Sequence, residues 1–188
     1  RAQPTQGVSK DEIVIGTIQD LSGPVSPFGK AARNGIQLRV DEINEQGGIH
    51  GRKIRLIVED NAYDPKRAVL AAQKLVNQDK VFLIASHIGT PMNNAAMPVM
   101  FEKGVINFFP LSAGREMYDP ANKLKFASVA SYFDTLRMNV ARLYKEKGAK
   151  NACVLYQDDD YGLGVVRGAE AGLKDIGVAV GEKTTYKR

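Results

Sequence analysis

The sequence predicts an α/β protein whose mostly parallel sheet is covered by helices on both faces. Short apolar runs rich in β-branched residues alternate along the 188 residues with stretches whose apolar residues recur every three or four positions. Glycine, proline and other turn formers separate the two kinds of segment. Strands that alternate with helices of about 10–15 residues are typical of βαβ crossovers, which place consecutive strands in parallel.

The predicted strands are short apolar runs that lead into turn formers or polar residues. The first, 13–18, is rich in isoleucine and is followed by the turn formers Ser22, Gly23 and Pro24. Its length and composition are those of a buried strand that enters a loop. The later predicted strands are 53–59, 81–85, 105–109, 125–129 and 152–156, and one more begins at 184.

The predicted helices carry an apolar stripe at helical spacing. In 29–46 the residues Ile36, Val40 and Ile43 share one face, because they recur at intervals of four and three. Asp64 and Pro65 supply an N-cap and a first-turn proline for the next helix. The remaining predicted helices are 91–103, a stripe from 133 to 143, and 162–176.

Composition excludes several classes of function. The chain has 26 Lys+Arg against 21 Asp+Glu and a net charge of +5, and these basic residues are scattered among acidic ones. We therefore expect a solvated surface and no nucleic-acid partner, because nucleic-acid binding needs clustered positive charge. The single cysteine, Cys153, allows neither an internal disulfide nor a cysteine metal site.

No apolar run approaches the roughly 20 residues of a membrane helix, so we expect no stable membrane insertion. The first eleven residues are polar and lack the apolar segment of a signal peptide. A mature exported protein begins in this way after its signal peptide has been removed, although an artificial start would look the same.

Candidate ligand-binding residues follow the predicted strands, where open α/β sheets hold their ligands. Thr90 stands where a loop meets a helix, so its hydroxyl could join the helix N–H groups in an anion site. The alternative is a simple N-cap. His87 follows a buried strand and is either a core histidine or a pocket donor.

Three aromatic residues near the predicted loops have two interpretations. Phe28 and Tyr161 fall in loops rather than on strand or helix faces, and Tyr132 opens a helix. Large rings in such places need apolar cover. Each of them either packs on a bound ligand or packs against a neighbouring loop.

No pattern of residues typical of catalysis, metal binding or cofactor binding occurs. His50 and His87 are the only histidines, and the serines lack a nucleophile-elbow motif. The acidic run 158–160 lacks the spaced ligands of a calcium loop, so we expect a solvated loop in which Asp160 caps the next helix. The glycines of 162–167 break the dinucleotide fingerprint, and no phosphate-binding Walker loop occurs. We expect no enzyme activity and no cofactor.

Several ordered motifs resemble the periplasmic branched-chain amino-acid-binding family, the substrate-binding subunits of ABC importers. They are GTI at 16–18, LSGP at 21–24, FG at 28–29, NEQGGIHGRKI at 44–54, DNAYDP at 60–65 and YQDDDYG at 156–162. The resemblance implies the type I periplasmic binding protein fold, in which two doubly wound lobes close by a hinge on a ligand. It also implies a membrane permease as partner and a periplasmic location.

By that resemblance, 1–128 would form most of the first lobe and 129–188 the start of the second. The chain ends where a strand begins, so we expect the natural protein to continue beyond Arg188. We also expect the stretch 1–188 alone to bind its solute weakly, because part of the second lobe would be missing.

The resemblance also assigns site residues. Phe28 matches the aromatic wall, Thr90 matches a hydroxyl that takes the ligand carboxylate, and Tyr161 matches the aromatic residue that closes over the ligand. The loop residues Leu111, Ser112 and Ala113 complete the grip on the carboxylate. His87, Ile88 and Tyr132 adjoin these positions and complete the predicted ligand-binding set.

Departures from the family pattern bear on the ligand. Tyr63 and Gly89 occupy the places of the family's early cysteine pair, and Ala113 replaces a threonine common where an α-amino group is held. The runs 89–95 and 108–110 look more like those of relatives that take up aromatic or other organic acids. The predicted ligand is therefore a small carboxylate, either a branched-chain amino acid or an aromatic or organic acid. A ligand-sensing domain of a receptor or regulator, with the same fold, is the alternative function.

Overall fold

The computed structural model describes residues 4–188, so the first three residues of the polar start lie outside it. The chain forms two compact units. The first unit comprises Arg1–Ser112 and Pro120–Ala127, and the second comprises Ala113–Asp119 and Ser128–Arg188. The resemblance divides the chain at 128, whereas the segment Ala113–Asp119 groups with the later residues.

The first unit is built on one five-stranded sheet in which every neighbouring pair is parallel. Its strand order is β2-β1-β3-β4-β5. The strands are β1 (Glu12–Gln19), β2 (Lys53–Asp60), β3 (Leu83–Ala85), β4 (Ile106–Phe108) and β5 (Lys125–Phe126). Each lies within two or three residues of a predicted strand, which confirms the predicted parallel α/β fold.

Three helices connect these strands: α1 (Ser26–Glu45), α2 (Pro65–Gln73) and α3 (Thr90–Glu102). A π-helical turn, Lys74–Gln78, extends α2. As predicted, Asp64 caps α2, since its carboxylate accepts a hydrogen bond from the Lys66 N–H at 2.7 Å. The core between sheet and helices is apolar, with Ile18, Leu75, Ile84 and Met100 among its fully buried residues.

The second unit contains a parallel strand pair, β6 (Val154–Gln157) and β7 (Lys183–Tyr186), and two helices, α4 (Tyr132–Glu146) and α5 (Asp160–Asp175). A short 3₁₀ turn, Arg115–Met117, belongs to the same unit. The helices approach closely at Gly168, where an added Cβ would lie 2.6 Å from the Phe133 carbonyl oxygen. Cys153, just before β6, is exposed.

The structure corrects two local predictions. Asp159, not Asp160, caps α5, because its carboxylate accepts from the N–H groups of Tyr161 and Gly162. Phe28 and Tyr161 lie in the first turns of α1 and α5 rather than in loops. The predicted apolar stripe from 133 to 143 lies on α4, of which no residue is fully buried.

None of the helices within residues 4–188 combines the length and the apolar character needed to cross a bilayer.

Candidate functional site

Strands β3 and β4 end in the same unusual way at the carboxyl edge of the first unit's sheet. Ser86 and Phe109, the next residue after each strand, have left-handed backbones with φ of 54° and 47°. A non-glycine residue in that region costs on the order of 1 kcal/mol. Beyond these residues the two segments of the chain pair again, at a parallel bridge between Ile88 and Leu111. Because the left-handed residues Ser86 and Phe109 turn the chain at equivalent points of the two strands, the two loops stay side by side.

The loops bring two buried hydroxyl groups together. The Oγ1 atom of Thr90 lies 2.7 Å from the Oγ atom of Ser112, and the two residues are 2% and 6% exposed. Thr90 is the first residue of α3, and the N-cap position belongs to Gly89, whose φ is 100°. The N-cap alternative for Thr90 is therefore wrong, because Gly89 holds that position and no side chain caps the helix.

His87 lies in the interior of the first unit and is fully buried. The amide Nδ2 of Asn61 lies 3.3 Å from His87 Nε2 and 3.1 Å from the Ile88 carbonyl oxygen. The amide Oδ1 of Asn61 accepts from the Tyr63 N–H, which fixes the amide's orientation. Nε2 is then the acceptor, so the neutral ring carries its proton on Nδ1.

Burial lowers the pKa of His87 to about 3, because a charged ring would lose its hydration. The imidazole is therefore neutral at physiological pH, and it brings no positive charge to the neighbourhood of Thr90.

The loop between β1 and α1 is fixed by two carboxylates. Asp20 accepts from the N–H groups of Gly23 and Val25 at 2.6 and 2.8 Å. Asp60 accepts from the Leu21 N–H at 2.9 Å. Burial acts to raise the pKa of Asp60, but its hydrogen bonds, led by that from the Ser22 hydroxyl, hold the pKa below its ordinary value.

This loop leads into the first turn of α1, where Phe28 is 71% exposed. Leu111 is also largely exposed, whereas Ile88 is buried. Of the predicted residues in the first unit, Phe28 and Leu111 thus offer apolar surface, and Thr90 and Ser112 offer buried polar groups.

The other three predicted residues lie together in the second unit. The rings of Tyr132 and Tyr161 pack edge to face with centroids 5.1 Å apart. The carbonyl oxygen of Ala113 accepts from the Tyr132 N–H at 2.8 Å. Burial, followed by the nearby Tyr132, raises the pKa of Tyr161 above its ordinary value, so its phenol is neutral at physiological pH.

Sequence reasoning missed three buried amide side chains, those of Gln19, Asn61 and Asn93, which bond to the segment before Thr90. The available signal was a polar residue at the end of an apolar strand or at the start of an apolar helix. The sequence indicates Tyr63 only as a residue in the place of a family cysteine. In the structure the Tyr63 ring lies against Gly89, where an added Cβ would be 3.1 Å from it. Among residues 4–188 no cluster of His, Cys, Asp or Glu suits a metal ion.

In open α/β proteins, the loops at the carboxyl edge of a parallel sheet are the usual place of a ligand-binding site. The chain belongs to the periplasmic binding protein family, whose model matches residues 12–187. That range includes every strand and helix described above, which confirms the predicted family and its type I fold.

Relatives of this chain are binding proteins by name. It is 28% identical over 178 residues to a leucine-, isoleucine-, valine-, threonine- and alanine-binding protein of Pseudomonas aeruginosa, covering 92% of this chain and 46% of that protein. A fatty acid ABC transporter substrate-binding protein from Thermomonospora curvata has a similar structure, with a TM-score of 0.88 at 26% identity over 98% of this chain and 47% of that one.

A substrate-binding periplasmic protein from Ralstonia solanacearum gives a TM-score of 0.86 at 27% identity, covering 95% of this chain and 50% of that one. The chain spans about half the length of the relatives that it matches.

Proposed function

We propose that this chain is part of an extracytoplasmic solute-binding protein of an ABC importer and that it captures a small carboxylate. The buried hydroxyl pair of Thr90 and Ser112 at the start of α3 carries this proposal. Its chemistry is that of an anion site, because hydroxyl protons and the unpaired N–H groups of a helix N-terminus stabilise negative charge.

The hydroxyl pair can accept a ligand without breaking its mutual hydrogen bond. A hydroxyl donates one hydrogen bond and can accept two. Ser112 can donate to Thr90, and Thr90 then donates its own proton to a carboxylate oxygen. His87 is neutral, so in this part of the site hydroxyl and N–H dipoles would stabilise the ligand's charge.

Apolar side chains complete the proposed site. Phe28 and Leu111 of the first unit present exposed apolar surface suited to a hydrocarbon group. By the family pattern, Tyr161 of the second unit would close over the ligand, with Tyr132 and Ala113 as its neighbours. As in the family pattern, the two lobes would close on the ligand by a hinge and deliver it to the membrane permease. The mature protein would work in the periplasm, after removal of a signal peptide.

Two kinds of acid are candidate ligands. The similarity to a binding protein for leucine and related amino acids favours a branched-chain amino acid. The similarity to a fatty acid substrate-binding protein favours a carboxylate without an ammonium group. Ala113 supports the second candidate, because its methyl group cannot accept a hydrogen bond from an ammonium group.

Isothermal titration calorimetry of the full-length protein tests the proposal. The panel is L-leucine, L-valine, benzoate and octanoate, each beside its carboxamide. We expect at least one acid to bind about tenfold or more tightly than its amide, since hydrogen bonds to a charged group are worth roughly 1.5–3 kcal/mol. Equal affinity for acid and amide, or no binding by any acid, would show that the carboxylate assignment is wrong.

A further inference from the structure

We propose that Gln19, Asn61 and Asn93 are positioning residues that hold the segment 86–89 and thereby set the Thr90 hydroxyl for carboxylate recognition. This inference rests on the proposed function. The three side chains share two properties. Each is fully buried, and each uses both N–H groups of its amide on fixed acceptors in the first unit.

Asn93 bonds to the segment from within the first turn of α3. Its Nδ2 atom donates to the carbonyl oxygens of His87 and Gly89, both at 2.8 Å. Its Oδ1 atom accepts from the amide of Asn107, on β4, at 3.1 Å. Asn93 therefore links the segment before Thr90 to the strand that leads to Ser112.

Asn61 bonds to the segment from the end of β2. Its Nδ2 atom donates to the Ile88 carbonyl oxygen at 3.1 Å and to His87 Nε2 at 3.3 Å. Its Oδ1 atom is fixed by the Tyr63 N–H at 2.8 Å. The bond to His87 also sets the tautomer of the buried ring.

Gln19 bonds to the segment from the end of β1. Its Nε2 atom donates to the Ser86 carbonyl oxygen at 2.6 Å and to the Thr17 hydroxyl at 2.9 Å. Ser86 has a left-handed backbone, so Gln19 bonds to this segment at a strained residue.

Every carbonyl oxygen from Ser86 to Gly89 is thus bonded to a buried amide side chain. This matters for an anion site, because a carbonyl oxygen carries partial negative charge and repels a carboxylate. The amides fix the orientation of these carbonyl groups. A bound carboxylate then meets the hydroxyl and the N–H groups at the start of α3 rather than carbonyl lone pairs.

The closing experiment compares Asn61→Ala and Asn93→Ala with Asn44→Ala in the full-length protein. Asn44 is a matched control, because its side chain also bonds to backbone groups, the N–H and carbonyl of Ile54, at 2.7 and 2.8 Å. Ile54 lies near the start of β2, at the end of that strand opposite Asn61. The readout is the ratio of affinities for a panel acid and its carboxamide, measured by calorimetry.

We expect Asn61→Ala and Asn93→Ala to reduce the acid-to-amide ratio about tenfold, because the hydroxyl loses its fixed position. A merely structural role lowers the folded fraction and weakens both ligands equally, so it leaves the ratio unchanged. Asn44→Ala should behave in that way. Suppose that the wild type binds the acid more tightly than the amide and that Asn61→Ala and Asn93→Ala keep the same acid-to-amide ratio. The positioning role would then be wrong, whereas the proposed function would stand.

A second measurement does not depend on any ligand. The Gly89 N–H donates to the Leu111 carbonyl oxygen, and the Leu111 N–H donates to the His87 carbonyl oxygen. In Asn93→Ala we expect these two amides to exchange hydrogen about tenfold faster, and Asn44→Ala should leave them unchanged. Unchanged exchange in Asn93→Ala would refute the positioning role. Missing acid-to-amide discrimination in the wild type would instead refute the proposed function.

Discussion

The hydroxyl oxygens of Thr90 and Ser112 lie 2.7 Å apart although 22 residues separate them in the chain. They meet because each follows one of two adjacent parallel strands and because both strands end in a left-handed residue. Ile88 and Leu111 then pair as neighbours across the two loops. Removing either kink would shift one loop along the other and separate the hydroxyls.

Thr90→Val and Ser112→Ala should each weaken binding of the preferred acid about tenfold or more. Thr90→Val removes the hydroxyl that donates to the carboxylate, and a hydrogen bond to a charged group contributes roughly 1.5–3 kcal/mol. Ser112→Ala removes the hydroxyl that donates to Thr90 and orients it. Calorimetry with the acid and its carboxamide measures the loss, which should be larger for the acid. Thr135→Val, which changes an exposed threonine of α4, is the control. Wild-type affinity in both site variants would exclude the hydroxyl pair as the carboxylate site.

Lowering the pH should destabilise the first unit through His87. Its pKa is about 3 when folded, against an ordinary value of 6.5, so the unfolded chain takes up the proton first. The stability that the neutral ring contributes is complete above pH 6.5 and is lost as the pH falls. The slope is about 1.4 kcal/mol per pH unit, which gives about 2 kcal/mol between pH 6.5 and about pH 5.

Urea unfolding at several pH values measures this dependence, and His87→Gln should remove most of it. The Asp60 carboxyl has a pKa below its ordinary value of 3.8, so its contribution to stability is lost mainly at lower pH. The same pH dependence in wild type and His87→Gln would mean that the folded ring is protonated or solvated.

Asp159→Ala should destabilise the second unit by about 1–2 kcal/mol, whereas Asp158→Ala should have little effect. Asp159 caps α5 with one carboxylate oxygen and accepts from Gln157 and Arg188 with the other. Asp158 is exposed. The free energy of unfolding from denaturant titration separates the two variants. Equal effects would indicate that the cap geometry is not maintained in solution.

Gly168→Ala should destabilise the packing of α4 on α5 by about 1–3 kcal/mol, because a methyl group would contact the Phe133 carbonyl oxygen and Leu136 Cβ at 2.6 and 2.9 Å. Gly164, on the same helix, has open space at its Cβ position. Gly164→Ala should therefore stabilise α5 by up to about 1 kcal/mol through helix propensity. Thermal unfolding of the two variants should shift in opposite directions. A stabilising effect of both would show that the helices are further apart than described.

The fold was predictable because hydrophobic periodicity reports directly on burial. The first strand and the residues Ile36, Val40 and Ile43 of α1 repeat with the periods of a buried strand and a half-buried helix. The caps were harder to predict. Three consecutive aspartates, 158–160, lie where α5 begins, and the choice between Asp159 and Asp160 as the cap depends on backbone angles that composition does not encode.

The candidate site was only partly predictable. Thr90 and Ser112 follow predicted strands, but their mutual hydrogen bond depends on the left-handed kinks at Ser86 and Phe109, and neither residue type favours that conformation. The buried amides were missed for a different reason. Gln19 and Asn61 bond to carbonyl groups far along the chain, at Ser86 and Ile88. Asn93 bonds to the nearby carbonyl groups of His87 and Gly89, but only because the chain turns at the start of α3, and no residue pattern indicates that contact.

Cys153 offers a practical route to these measurements. It is the chain's single cysteine, it is exposed, and it lies in the second unit. A maleimide fluorophore or biotin will therefore attach to residues 1–188 at one defined point, on a side chain that is not among the proposed site residues. Immobilised through that point, every molecule shares one orientation on a sensor surface. Affinities of the variants can then be compared without introducing a new thiol.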